Sequence, residues 1–177
     1  MKTVVLAGVL EALERRGARP ALIGGMALAA HGIGRATQDL DILVLDPALL
    51  AAECWDGLRA LGAQVEIRRG DAGDPLAGVI RIWKESEAPV DVVVGRRPWQ
   101  EGILDRRKIL RLEGIDVPVV EAADLVLLKL DAGGPQDLLD IRLLLRGPGG
   151  ADLRAEVERR LAALPEPLQH VWLTLRD

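Results

Sequence analysis

One cysteine, Cys54, stands alone, and phenylalanine and tyrosine are missing altogether. A single thiol excludes a disulfide framework and a cysteine-built metal cluster. In the stretch AAECWDGL it reads as a small buried hydrophobe on a helix. His31 has no nucleophile or further metal ligands paired with it and reads as a satisfied structural group. No run approaches the ~20 apolar residues that a membrane span needs. The apolar start, residues 1–10, continues into Glu11, Glu14, Arg15 and Arg16, which is a helical pattern and not a signal peptide. Net charge is -4, so no global basic field advertises nucleic-acid binding. The short basic runs Arg68-Arg69, Arg96-Arg97 and 106–108 read as solvated surface. A cytoplasmic protein without a membrane partner is expected.

What is present is globular. The chain has 177 residues, 49% apolar and 28% charged, with mean hydropathy +0.16. That is enough for one domain, or one domain with a helical appendage. Val5, Leu6, Val9, Leu10 and Leu13 recur at helical spacing, and Gly17 ends that helix. A short strand over 20–23 runs into Gly24-Gly25, a helix over 26–30 follows, and residues 39–45 form a strand. Asp46-Pro47 is a helix start, and Leu50, Cys54, Leu58 and Leu61 make one stripe on the helix after it. Strands are expected over 63–67, 79–83 and 90–94, the last two as antiparallel neighbours, with a polar turn over 68–74. Residues 99–108 read as a helical link and 109–120 as a hairpin turning at Glu113-Gly114. Helices alone follow, over 121–130, 135–145 and 152–164. The fold class is α/β: a mixed sheet with helices on it over residues 1–120, then a C-terminal helical segment over 121–177 packed on that core.

The organising stretch is 23–44, IGGMALAAHGIGRATQDLDILV. Asp39 and Asp41 are two apart, so on a strand both project from one face, with Leu40 and Ile42 on the other. Several carboxylates converging within a few Å are what a two-metal phosphoryl- or nucleotidyl-transfer site needs, and Mg²⁺ favours such oxygen ligands. A third acid is wanted on a neighbouring strand. Asp91, heading the apolar run PVDVVVG, is the best candidate, because a bare carboxylate there is costly unless paired or metal-bound. Glu66 and Asp74 are weaker candidates in polar surroundings. The Gly24-Gly25 pair can bring backbone amides to a phosphate.

Gly24-Gly25, Gly32 and the run from Arg35 through Thr37 and Asp39 to Asp41 resemble the minimal nucleotidyltransferases of the polymerase-beta-like superfamily. The resemblance is closest to the branch with the AbiEii-type toxins. The block KLDAGGPQDLLDIRLL from Lys129 resembles that branch's helical Lys…Asp-x-x-Asp motif. The resemblance implies a mixed sheet, two Mg²⁺ ions, and transfer of a nucleotidyl group from an NTP to a hydroxyl. It also implies that Asp39, Asp41 and Asp91 are the metal carboxylates, with Gly24 and Gly25 at the triphosphate. Two positions depart from the pattern: Gly25 stands where serine is common, and Gly134 where a basic residue is common. The chain is also short beside full-length AbiEii-type toxins.

Arg35 is a candidate phosphate contact, and Thr37 a cap for the turn before the aspartate strand. Lys129 either approaches the NTP phosphates, oriented by Asp137 or Asp140, or ties two helices together in a salt bridge. Two functions from different classes follow. One is a Mg²⁺-dependent nucleotidyltransferase acting on RNA, a protein or a small molecule, as a component of a toxin–antitoxin pair with a cognate partner protein. The other, motivated by Gly25, Gly134 and the short length, is a catalytically silent module that binds a nucleotide or a partner. A third reading makes the acids structural partners of Arg35, Arg81 and Lys129. Base preference, acceptor and oligomeric state are not written in the sequence.

Overall fold

Burial of the apolar stripe Val5, Leu6, Val9 and Leu13 against the sheet side of the molecule is what makes helix α1 (Val4–Glu14). The computed structural model describes residues 4–34, 37, 39–112 and 114–176. After α1 the chain enters strand β1 (Ala21–Ile23) and passes directly into helix α2 (Gly24–Ala30). The helix expected over 26–30 therefore starts two residues earlier and takes both glycines into its first turn. Strand β2 (Leu40–Val44) follows, with Leu40, Ile42, Leu43 and Val44 buried and Asp41 only partly so.

The next segment departs from expectation. In place of one striped helix there are two 3-10 turns, Pro47–Leu50 and Ala52–Trp55, and a short helix α3 (Asp56–Ala60). Asp46 caps the first turn as expected, accepting from the Ala48 amide at 2.9 Å. Ala51 between the turns is extended, at φ -77° and ψ 133°, which breaks the helical register. The anchor is Trp55, 1% exposed, whose indole N–H donates to the Leu49 carbonyl at 2.9 Å. Leu61 is left exposed, and Cys54 is half-buried on the second turn.

Strand β3 (Gln64–Arg69) runs two residues into the expected turn, and β4 (Leu76–Trp83) starts earlier than predicted. Their ladder from Gln64↔Trp83 to Arg69↔Gly78 satisfies the backbone there whatever the side chains are. Strand β5 (Val90–Gly95) pairs antiparallel with β4, as the short connection predicts. Helix α4 (Gln100–Arg106), strands β6 (Lys108–Leu112) and β7 (Ile115–Val119), and helices α5 (Ala122–Ala132), α6 (Pro135–Arg146) and α7 (Gly150–Arg160) come next. The hairpin expected over 109–120 is the β6–β7 pair; Glu113 at its turn lies outside the described residues. The helix predicted over 152–164 ends early, and α8 (Glu166–Leu175) forms beyond it, started by Pro165 and Pro167.

The seven strands make one mixed sheet in the order β3-β4-β5-β2-β1-β7-β6. β2 runs parallel to β5, and β1 parallel to β7; the other neighbours are antiparallel. α1 packs against β5 and α3, while α2 leans on β1 and β2, and α5 packs on α2. Ile42, Ile80, Ile82, Val90, Val92 and Val94 are fully buried on one face of the central strands. Each such side chain contributes about 1.5–3 kcal/mol by leaving water. That rigid centre carries the acidic residues on its other face. No described helix is long and apolar enough to cross a membrane.

Candidate functional site

One register line crosses five strands and collects the polar residues. Glu66 on β3 faces Arg81 on β4, Arg81 faces Asp91 on β5, Asp91 faces Asp41 on β2, and Asp41 faces Ile23 at the end of β1. Directly paired residues share a sheet face, so these side chains emerge side by side. Asp39, two residues before Asp41, joins the same face. Asp41 and Asp91 therefore lie on neighbouring strands with Asp39 just before β2, and the β2–β5 pairing sets Asp41 and Asp91 side by side.

Arg81 is the residue that the sequence undervalued. Its Nη1 donates to Asp91 Oδ2 at 2.8 Å, and its Nη2 reaches Asp39 Oδ1 at 3.5 Å. The pairing of these acids with Arg81 that the third sequence reading named is present. It leaves Asp91 incompletely served: Asp91 Oδ1 is buried and has no hydrogen-bond partner among the described residues. Burial pushes the Asp91 carboxyl above its ordinary value; Arg81 opposes the rise, and the nearby Asp39 charge adds to it. Among the described residues no three His, Cys, Asp or Glu side chains already converge as a metal-ready group. An orphaned buried carboxylate oxygen beside two further aspartates is nevertheless a donor set that suits a hard divalent cation.

The glycines are fitted to the aspartates. Gly24 has φ +65°, and a β-carbon on it would lie 2.0 Å from Asp41 Oδ2. Only glycine lets the backbone meet that carboxylate so closely. At Gly25 an added β-carbon would lie 2.9 Å from Thr37 Cβ and 3.2 Å from Thr37 Oγ1. Thr37 thus fills the space that a serine at 25 requires, and its hydroxyl donates to the Asp39 carbonyl at 3.4 Å, holding the turn as the sequence suggested. Arg35 lies outside the described residues.

Lys129 on α5 is 5% exposed and donates to Asp137 Oδ1 at 3.0 Å and to Asp140 Oδ2 at 2.7 Å, both on α6. Asp137 Oδ2 also accepts from the Gly134 amide at 3.2 Å, and Gln136 donates to Asp140 Oδ1 at 2.9 Å. The Lys129 ammonium bonds these α6 acids rather than Asp39 or Asp91. Glu66 pairs with Arg68 at 2.9 Å, and Asp74 Oδ2 accepts from the Asp71 amide at 2.6 Å, so neither weaker candidate joins the aspartate cluster. His31 is a structural group as expected, its Nε2 lying 2.8 Å from the Val120 carbonyl oxygen.

Beside Asp91 and Arg81 the open face of β3 and β4 forms a cleft of about 330 Å³, lined also by Arg68, Arg69, Asp74 and Val79. A larger hollow of about 720 Å³ lies elsewhere, between β6, β7 and the C-terminal helices, away from the aspartates. Its charged lining is absorbed by internal pairs: Arg160 to Glu121 at 2.7 Å, Lys108 to Glu121 at 2.6 Å, and Arg160 to the fully buried Asp124 at 2.7 Å.

A family model described as "Nucleotidyl transferase AbiEii toxin, Type IV TA system" matches residues 9–167. Among solved structures, the antibiotic-resistance factor ANT(2'')-Ia superposes with a TM-score of 0.54 at 15% identity, covering 95% of this chain and 97% of that one. An antigenic nucleotidyltransferase-like protein from Paracoccidioides brasiliensis gives 0.53 at 16% identity, over 98% and 92% of the two chains. The lincosamide antibiotic adenylyltransferase LnuA, with lincomycin bound, gives 0.51 at 14%, over 82% and 98%. These likenesses establish the fold. No curated protein sequence matches the chain.

Proposed function

Because the chain belongs to the AbiEii nucleotidyl transferase family, we propose that its aspartate cluster transfers an NMP from an NTP to a hydroxyl acceptor with Mg²⁺ as the cofactor. The observation that carries this reading is the lateral pairing of Asp41 with Asp91, with Gly24 pressed against Asp41. Asp39, Asp41 and Asp91 would hold two Mg²⁺ ions. When bound, such ions neutralise charge on the phosphates and on the attacking and leaving oxygens.

The chain's own residues do the rest. Gly24 and Gly25 present backbone beside Asp41 where the triphosphate is held. Arg35 completes the substrate contacts, and Lys129, held by Asp137 and Asp140, supports the nucleotide side of the site from behind. The acceptor lies in the cleft beside Asp91. Its hydroxyl oxygen forms a bond to the α-phosphorus, the bond to the β-phosphate oxygen breaks, and pyrophosphate leaves. The hydroxyl proton goes to Asp91, which lines that cleft. The acceptor is RNA, a protein or a small molecule, and the toxin description of the family adds a cognate partner protein to the proposal.

The silent-module reading is disfavoured at Gly25, because Thr37 packing accounts for the missing serine without loss of the carboxylates. The test is a transfer assay with each labelled NTP, Mg²⁺ and a cell-extract acceptor pool. Replacing residues that only orient metal ligands already costs about 10–100-fold, so Asp39→Asn, Asp41→Asn and Asp91→Asn should each lose more than about a hundredfold while keeping the wild-type circular dichroism spectrum. Full activity in Asp39→Asn sinks the mechanism, and tight NTP binding without turnover favours the silent module.

A further inference from the structure

Among the described residues, Arg81 on β4 is the cation that the sheet sends between Asp39 and Asp91. The Arg81 guanidinium bridges Asp91 on β5 and Asp39 before β2, at 2.8 and 3.5 Å. Two carboxylates this close repel, and a shared cation holds them together. The bridge is an imperfect fit: the contact to Asp39 is long, and Asp91 Oδ1 remains buried without a partner among the described residues. A planar guanidinium fork serves one oxygen of each acid here and cannot reach the orphan as well. A dication carries twice the charge and takes several oxygens at once.

Arg81 is also free to leave. Its side chain is 38% exposed against 17% for Asp91, so withdrawing it opens no core. Beside it lies the cleft of about 330 Å³ on the β3–β4 face, which gives the side chain room to turn. Arg68 and Arg69 at that cleft are otherwise engaged, with Glu66 at 2.9 Å and the Leu50 carbonyl at 2.7 Å. Of these three arginines, Arg81 is the one whose charge faces both Asp39 and Asp91.

We infer that Arg81 is a displaceable placeholder for the divalent cation. It holds Asp39 and Asp91 in position in the metal-free protein and swings into the cleft when the ion enters. Metal affinity is then set by competition with a side chain of the protein itself. The inference rests on the reading of Asp39, Asp41 and Asp91 as a metal site.

Calorimetric titration of the full chain with Mn²⁺, without nucleotide, tests it, together with thermal melts with and without Mn²⁺. Arg81→Gln removes the competing charge and keeps a shorter polar side chain. It should bind Mn²⁺ about two- to fivefold more tightly than wild type, the scale of one lost partly exposed ion-pair competitor. Its metal-free melting temperature should fall, and its rise on adding Mn²⁺ should exceed that of wild type. Arg81→Lys, which keeps the charge but not the fork, should fall between the two and carries the test if Arg81→Gln does not fold. Equal or weaker Mn²⁺ binding in Arg81→Gln overturns the placeholder, while weakened binding in Asp91→Asn leaves the metal site standing. Mn²⁺ binding indifferent to Asp91→Asn removes the metal reading and the placeholder with it.

Discussion

At Gly24 and Gly25 the scale of a single β-carbon decides what the site can be. Gly24 touches Asp41 so closely that any side chain would have to displace the carboxylate, and its φ of +65° adds backbone strain to that clash. Gly25 is different: its φ is unremarkable, and Thr37 is the obstacle. This makes the departure from serine a matter of packing and predicts an interaction between two positions. Gly25→Ser alone should destabilise the protein by about 1–3 kcal/mol, the usual cost of overpacking. Thr37→Gly removes the Cβ, the nearest atom, together with both its branches, so Gly25→Ser should cost less in the Thr37→Gly background than in the wild type. Additive losses in a thermal-melt double-mutant cycle would show that the two side chains do not compete for the same space. The sequence marked both residues; it did not reveal that they exclude one another, because that needs the distance between α2 and the turn before β2.

Between elements, the α5–α6 contact is a buried electrostatic clamp. Lys129 and Asp140 are 5% and 0% exposed, and Asp137 and Gln136 complete their hydrogen bonds. Removing one partner of such a pair leaves the other charge buried and costs about 3–5 kcal/mol. Lys129→Met should therefore lower stability by about that amount in denaturant unfolding, whatever it does to activity. A change under about 1 kcal/mol would mean that the clamp is not structural. Both readings of Lys129 taken from the sequence had it meeting an acid of the next helix, and it meets Asp137 and Asp140. The i, i+3 spacing of Asp137 and Asp140 was the visible signal. Other elements were less legible. The striped helix after Asp46 failed because periodicity cannot see Ala51 turning extended or Trp55 taking the buried place. α8 was not among the expected helices, although Pro167 in its first turn is a helix-start signal.

Over the whole molecule, the sheet order places two acids that are far apart in sequence on adjacent parallel strands. Asp41 and Asp91 meet because β5 docks beside β2, with β4 and β3 folded outward from it. Alternation along one strand predicted that Asp39 and Asp41 share a face, and the polar position in an apolar run picked out Asp91. Their lateral register, and the arrival of Arg81 from β4 between Asp91 and Asp39, are properties of strand pairing that no local pattern contains. The same topology leaves the face beyond Asp91 open as a cleft while α2 covers β1 and β2, so nucleotide and acceptor have separate approaches in the proposed reaction. The central claim is that Asp39, Asp41 and Asp91 form one metal–nucleotide site. A crystal structure with Mn²⁺ and a non-hydrolysable NTP analogue tests it most directly, by anomalous scattering. The account predicts Mn²⁺ within about 2.0–2.3 Å of carboxylate oxygens from all three aspartates, with the triphosphate along Gly24-Gly25 and Arg81 withdrawn from Asp39. Mn²⁺ bound elsewhere, or nucleotide bound while Arg81 still bridges Asp39 and Asp91, would contradict it.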